Sequence, residues 1–306
     1  MAKKQDDIII ANPMYDVVFK HLMMASKDIA SYFVGTVLGE EISDIEFAPQ
    51  EYAYTKKIQK EGSPKQTIGL IRLDFVATIL TKDGEYQKVL IEIQQSPKPT
   101  DLIRFRAYLG EQYKQPDNIV IHGDTIEKAM PIVIIYMLGF VFSEIEAIAV
   151  KANRTYIDII KGSEVNNKSP FIESLTHDAY FIQIPRISKD MYLDWKNSAD
   201  LMKMLSLFEQ DYFVDKNFLK KYPYPITDKN IKKMITTLEY IAADPKMRRA
   251  MEEEYWAELD EILWKQALAK KDSALAEQGN ALVEKDNTIA QQAREIAELR
   301  FKLGLN

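Results

Sequence analysis

Asp74, Glu92 and Gln94 stand on two strand-like stretches separated by one turn, where two carboxylates and an amide can meet. On the first stretch Ile71, Leu73, Phe75, Ala77 and Ile79 are apolar at alternate positions, with Arg72, Asp74 and Thr78 among the residues between them. On the second, Val89, Ile91 and Ile93 alternate with Lys88, Glu92 and Gln94. Successive strand side chains point to opposite faces, so burying both apolar sets together fixes the pairing parity and leaves the polar groups on one face. A register that pairs Asp74 with Gln94 sets Glu92 one diagonal step away. It demands a three- or five-residue loop, or a bulge, around Lys82-Asp83-Gly84. Two carboxylates so placed suit a hard divalent cation such as Mg²⁺, to which the backbone carbonyl of Ile93 adds an oxygen. Such a cation lowers the pKa of a bound water and neutralises charge developing on a phosphoryl group. The same alternation also fits an antiparallel sheet with one solvated polar face, and the pattern alone leaves both readings open.

The elements that would hold these residues are legible in outline. Apolar spacing predicts helices over Asp16–Met24 and Ile29–Leu38, with Gly39 as a stop. A first strand is expected over Ile45–Tyr54, then a polar loop, then the strands Ile68–Leu80 and Tyr86–Gln94. Pro97 and Pro99 break the chain, and Thr100 can cap a helix running to about Lys114, with Asp101 in its first turn. Helical spacing groups Leu102, Phe105, Leu109 and Tyr113, with Arg106 inside this apolar face, Gln112 at its edge and Arg104 directed to solvent. A buried-side Arg needs a partner, either a phosphate or site carboxylate or a structural ion pair. Pro131–Leu138 reads as a buried central strand, with weaker strands at Tyr156–Ile160 and Tyr180–Ile184. From Met191 to Met247 the pattern is helical, interrupted at Tyr222-Pro223-Tyr224-Pro225. Within it Lys216, Lys220, Lys221, Lys229, Lys232 and Lys233, interleaved with Phe218, Tyr222 and Tyr224, suit either a nucleic-acid track or, on the simpler account, a solvated helix with core aromatics.

Composition removes whole classes of chemistry. The 306 residues contain no cysteine, which excludes disulfides, zinc fingers, Fe–S clusters and thiol catalysis. His21, His122 and His177 are the only histidines and form no HxxxH pair. P-loop, GxGxxG and GxSxG motifs are lacking. The apolar run Pro131–Phe142 is too short to cross a bilayer and no secretory h-region follows Lys3-Lys4, so a cytoplasmic, membrane-free protein is expected. The net charge of −6 is uneven: residues 201–250 hold ten Lys/Arg against six Asp/Glu, whereas 251–306 hold seven against twelve. A negative total is compatible with a local phosphate-binding surface.

From Ala267 the chain repeats every seven positions, placing Leu268, Leu275, Leu282, Ile289, Ile296 and Leu303 on one slot. The slot three residues on holds Lys271, Gln278, Lys285, Gln292 and then Leu299, so half of the seam is polar. A long helix is expected there, with a homo-oligomeric coiled coil as a role open to it.

Asp74, a turn, and Glu92-Ile93-Gln94 together resemble the D…(D/E)-x-K core of the PD-(D/E)XK nuclease superfamily. More closely, the chain resembles the recombination-promoting nuclease/putative transposase family within it, where Gln commonly takes the last position. Asp16-Val17-Val18-Phe19-Lys20 matches a D-x-x-F-K element, and Val89–Gln94 is followed by Arg104–Tyr113, Pro131–Ile134 and Phe181–Arg186 in order. The resemblance implies a restriction-endonuclease-like α/β fold, a mixed sheet flanked by helices, followed by a helical segment and a long C-terminal helix. It implies a nuclease-like domain over 1–187, a helical extension over 188–250 and a tail over 251–306. The implied activity is Mg²⁺-dependent endonucleolytic cleavage of DNA, tied to recombination or transposition, with a catalytically inactive DNA-binding or assembly protein as the alternative. Asp74, Glu92 and Gln94 would be catalytic, the first two and the Ile93 carbonyl metal-binding. Asp16 would be either a further acidic ligand or a helix-opening acid favoured by the dipole. Lys20, Arg106 and Gln112 would contact DNA or support the site.

Overall fold

The computed structural model describes residues 8–48, 51–58, 65–72, 75–95, 99–114, 116–121, 124–188, 191 and 198–302. Two compact units divide the chain, Met1–Met251 and Glu252–Asn306.

The first unit opens with β1 (Ile9–Ala11), α1 (Asp16–Met24) and α2 (Lys27–Leu38). Ser26 caps α2 by accepting from the Ile29 amide at 3.2 Å, and the helix ends at Gly39, as expected. β2 (Ile42–Phe47) follows, then a separate hairpin of β3 (Glu51–Ile58) and β4 (Lys65–Arg72), then β5 (Phe75–Thr81) and β6 (Tyr86–Gln94). Of the stretch expected as one strand, Ile68–Leu80, the described residues up to Arg72 pair with β3 and those from Phe75 pair with β6 and β2 in the larger sheet. α3 (Pro99–Lys114) leads to the hairpin β7 (Asp117–Ile121) and β8 (Asp124–Lys128) and to β9 (Ile132–Leu138). β10 (Ala149–Ala152), the hairpin β11 (Tyr156–Asp158) and β12 (Ser163–Val165), α4 (Pro170–Leu175) and β13 (His177–Gln183) complete this part.

Six strands form one mixed sheet in the order β10-β13-β9-β6-β5-β2. β13, β9 and β6 are mutually parallel, and β10, β5 and β2 are antiparallel to their neighbours. β9 lies at the centre, and its continuous apolar run is what a strand buried on both faces requires. One face carries Phe75, Ala77, Ile79, Val89, Ile91, Ile93, Ile135 and Met137, all buried. The other carries Val76, Leu90, Ile132, Ile134 and Ala179, which pack against Phe105 and Tyr108 of α3.

Residues 200–251 add α5 (Asp200–Leu205), β14 (Phe213–Asp215), β15 (Leu219–Lys221), α6 (Lys229–Ala243) and the start of α7 (Pro245–Lys302). The helical pattern expected here is thus broken by two short strands. β15 pairs with β1, Ile9 opposite Lys221, and α6 packs on β1, α1 and α2. Lys220, expected on a solvated helix, is instead fully buried on β15. It donates to the carbonyls of Leu207 and Glu209 and pairs with the buried Glu209 carboxylate at 3.9 Å. Desolvation lowers its pKa to about 8 against the pull of Glu209.

The second unit is the remainder of α7, with the heptad apolar residues exposed along it. No helix among the described residues is long and apolar enough to cross a membrane.

Candidate functional site

β5 and β6 meet through Lys82-Asp83-Gly84. Thr81 donates its amide to the Glu85 carbonyl at 2.9 Å, and Gly84 adopts φ +84°, where a side chain would be strained. This is the three-residue option that the parity argument required. The register is two residues away from the expected one: Phe75 lies opposite Ile91, where pairing Asp74 with Gln94 would have set it opposite Ile93. Parity survives such a slide, because side chains keep their faces when the shift is even. Asp74 itself falls outside the described residues.

Glu92 is 3% exposed and faces α3, in the row Glu92, Tyr136, Phe181 across three parallel strands. A carboxylate so deeply desolvated calls for a charge-assisted partner. Arg104 on α3 supplies one, its Nη2 donating to Glu92 Oε1 at 3.2 Å while its guanidinium lies 5.8 Å from the Tyr108 ring centre. Arg104, expected in solvent, is half exposed yet reaches the site, whereas Arg106, expected on the inward face, is exposed. The correction follows from the face of α3. Phe105, Tyr108, Leu109 and Gln112 point inward, whereas Leu102 and Tyr113 are exposed. Arg104 and Arg106 flank that stripe on opposite sides.

Tyr136 is a second residue that sequence reasoning missed. Its ring stacks on Phe181 at 4.8 Å and meets Phe105 at 4.6 Å. Burial pushes its phenol above the ordinary range, and the negative charge of Glu92 adds to the effect. The signal was available: a single Tyr in an apolar strand, at the same parity as Glu92 across a parallel pair.

Gln94 is half-buried on the same face as Glu92. Its carbonyl accepts from the Gly139 amide at 2.8 Å, so the even-numbered backbone groups of β6 turn toward β9. Alternation directs the Ile93 carbonyl to the β5 side, beyond the last described pair, Phe75–Ile91. A Cβ at Gly139 would lie 2.9 Å from Gln95 Oε1 and 3.0 Å from Gln95 O, so the ends of β6 and β9 approach as closely as glycine permits. Gln95 in turn donates its side-chain amide to the Met14 carbonyl, which ties the entry of α1 to the end of β6. Asp16, the first residue of α1, is half-buried, as is Lys20 one turn on.

Gln112 is 1% exposed, and neither its Oε1 nor its Nε2 has a hydrogen-bond partner among the described residues. Beside it at the C-terminal end of α3, Tyr113 bonds His177 Nδ1 at 3.1 Å, and burial and the nearby Arg154 lower the His177 pKa. Lys88 of β6 pairs with Asp117 of β7, and both are buried. The Glu92 carboxylate is itself a hard oxygen donor, of the kind Mg²⁺ selects. Among the described residues no group of three acidic or histidine side chains is gathered around one point. Comparison of the chain with protein-family models, curated proteins and solved structures returns no significant match.

Proposed function

We propose that this protein is a Mg²⁺-dependent endodeoxyribonuclease of the PD-(D/E)XK type, with a restriction-endonuclease-like core. The motif order further supports a place in the recombination-promoting nuclease/putative transposase family and a role in DNA recombination or transposition. The observation that carries the reading is Glu92, a buried carboxylate on a central parallel strand that meets an arginine from the helix covering it. Asp74 and Glu92 bind the cation, with the Ile93 carbonyl and Asp16 as further oxygens. Bound Mg²⁺ supplies an activated water and neutralises phosphoryl charge. Gln94 orients a water through its amide, and Arg104 provides the fixed positive charge that glutamine lacks at the position usually filled by lysine. Lys20 stands at the same entry to α1 and offers a phosphate contact.

A second reading, a DNA-binding or assembly protein without catalysis, is favoured by the same Arg104–Glu92 pair, since an arginine already neutralises the carboxylate. Incubating the purified chain with plasmid DNA and Mg²⁺ separates the two. Cleavage lost with EDTA, with Asp74→Ala and with Glu92→Gln, while Glu92→Gln binds DNA as well as the wild type or better, is the expected result. Cleavage by Glu92→Gln at the wild-type rate would remove Glu92 from the metal site.

A further inference from the structure

We infer that the second unit joins two copies of this chain as a parallel, in-register, two-stranded coiled coil. Leu268, Leu275, Leu282, Ile289 and Ile296 recur every seven residues on α7 and are each between 43% and 64% exposed. A repeat of seven is the seam of a left-handed supercoil rather than the spacing of a lone solvated helix. With these residues at position a, position d is Lys271, Gln278, Lys285, Gln292 and then Leu299, and position e is Asp272, Gly279, Asp286, Ala293 and then Arg300. All ten d and e residues are exposed.

That polar slot decides the geometry. In an antiparallel pair each a residue faces a d residue, so every Leu or Ile except one set against Leu299 would meet a Lys or Gln. In a parallel pair a meets a, and the apolar layers Leu–Leu and Ile–Ile are kept together. A parallel d side chain also enters a hole bordered by e of the same heptad on its partner. Lys271 then reaches Asp272 of the other copy, and Lys285 reaches Asp286, twice over by symmetry. The order Lys-Asp, Gln-Gly, Lys-Asp, Gln-Ala repeats every two heptads, so a slip of one heptad keeps the apolar layers but loses all of these ion pairs. Register is thus set by charge and association by the Leu/Ile seam. A third strand would enclose the Lys and Gln layers more completely, which selects two strands.

Light scattering on the full chain after size exclusion is expected to give about 71 kDa, twice the 35.3 kDa chain. Leu275→Asp combined with Leu282→Asp is expected to return it to one chain mass with an unchanged melting transition of the first unit. Because the chain lacks cysteine, Leu275→Cys and Ile296→Cys are clean reporters, and each is expected to cross-link to itself under mild oxidation. An antiparallel pair can cross-link at most the site on its symmetry axis, so failure of either reporter overturns the parallel register. Asp272→Lys with Asp286→Lys is expected to weaken the dimer at least tenfold, and adding Lys271→Asp and Lys285→Asp to restore it. A wild-type monomer at 50 µM, a trimer, or a dimer that survives the double Asp variant would each overturn the inference.

Discussion

Replacing Arg104 by alanine removes a charge-assisted hydrogen bond from a carboxylate that is 3% exposed. Hydrogen bonds to charged groups contribute roughly 1.5–3 kcal/mol, and the half-exposed guanidinium places this one at the lower end, about 1.5 kcal/mol. In a unit of this size each kcal/mol moves Tm by roughly 2–4 °C, so Arg104→Ala is expected to melt about 3–6 °C below the wild type in EDTA. Magnesium then reverses part of the loss. With the guanidinium gone, one cation that competes for Glu92 is removed, so Mg²⁺ binds the variant more tightly and raises its Tm more than it raises the wild type's. Cleavage moves the other way: at saturating Mg²⁺ the variant is expected to lose on the order of 10²–10³ in rate, the usual cost of deleting one preorganised donor. Differential scanning fluorimetry with graded Mg²⁺, alongside plasmid cleavage, reads both effects. Equal Tm values in EDTA together with equal Mg²⁺ shifts would refute the argument that Arg104 and a cation share Glu92.

Gln94→Lys is expected to fold normally and to need more Mg²⁺ for half-maximal cleavage, because an ammonium on the Glu92 face competes with the cation; an unchanged metal requirement in a titration would contradict this. Gly139→Ala pushes a methyl to within 2.9 Å of Gln95 and is expected to cost about 1–3 kcal/mol in urea unfolding, with cleavage falling alongside as the end of β6 shifts. Lys220, with its pKa depressed to about 8, is protonated in the unfolded chain and not in the folded one between about pH 8 and the ordinary lysine value near 10.5. Stability therefore rises with pH across that window by up to about 1.4 kcal/mol per unit, and the penalty is fully present below pH 8. Denaturant midpoints at pH 7 and pH 9.5 are expected to show this rise in the wild type and its loss in Lys220→Met.

What the sequence made legible was local. α1, α2, β6 and β9 are marked by apolar period, by Ser26 and Gly39, and by a run of Ile and Val, so their places follow from neighbouring residues alone. Parity of the β5–β6 hairpin was legible because it depends only on which residues are apolar; its register was not, since a slide of two leaves every side chain on the same face. Arg104 and Arg106 exchanged roles because the inward stripe of α3 includes Tyr108 and Gln112, whose polar atoms disguise them as surface residues. β14 and β15 left no local trace: Lys220 reads as solvent-facing until the Glu209 carboxylate and three carbonyls are brought around it. Tyr136 became a site residue only through its parallel pairing with Glu92, a contact between residues more than forty positions apart.

The pairing of β1 with β15 joins residue 9 to residue 221. A ribosome adding roughly 5–20 residues per second needs about 10–40 s to make the stretch between them. Throughout that interval β1 has no strand to complete it, and Phe19 and Phe33 wait for Phe208, which covers them both. The nascent chain therefore carries an open strand edge and an aromatic surface for most of its synthesis, a natural target for holding chaperones. A chain ending shortly before Leu219 would keep the Glu92 strands but leave β1 without its partner strand, and aggregation or proteolysis of such fragments is the expected fate.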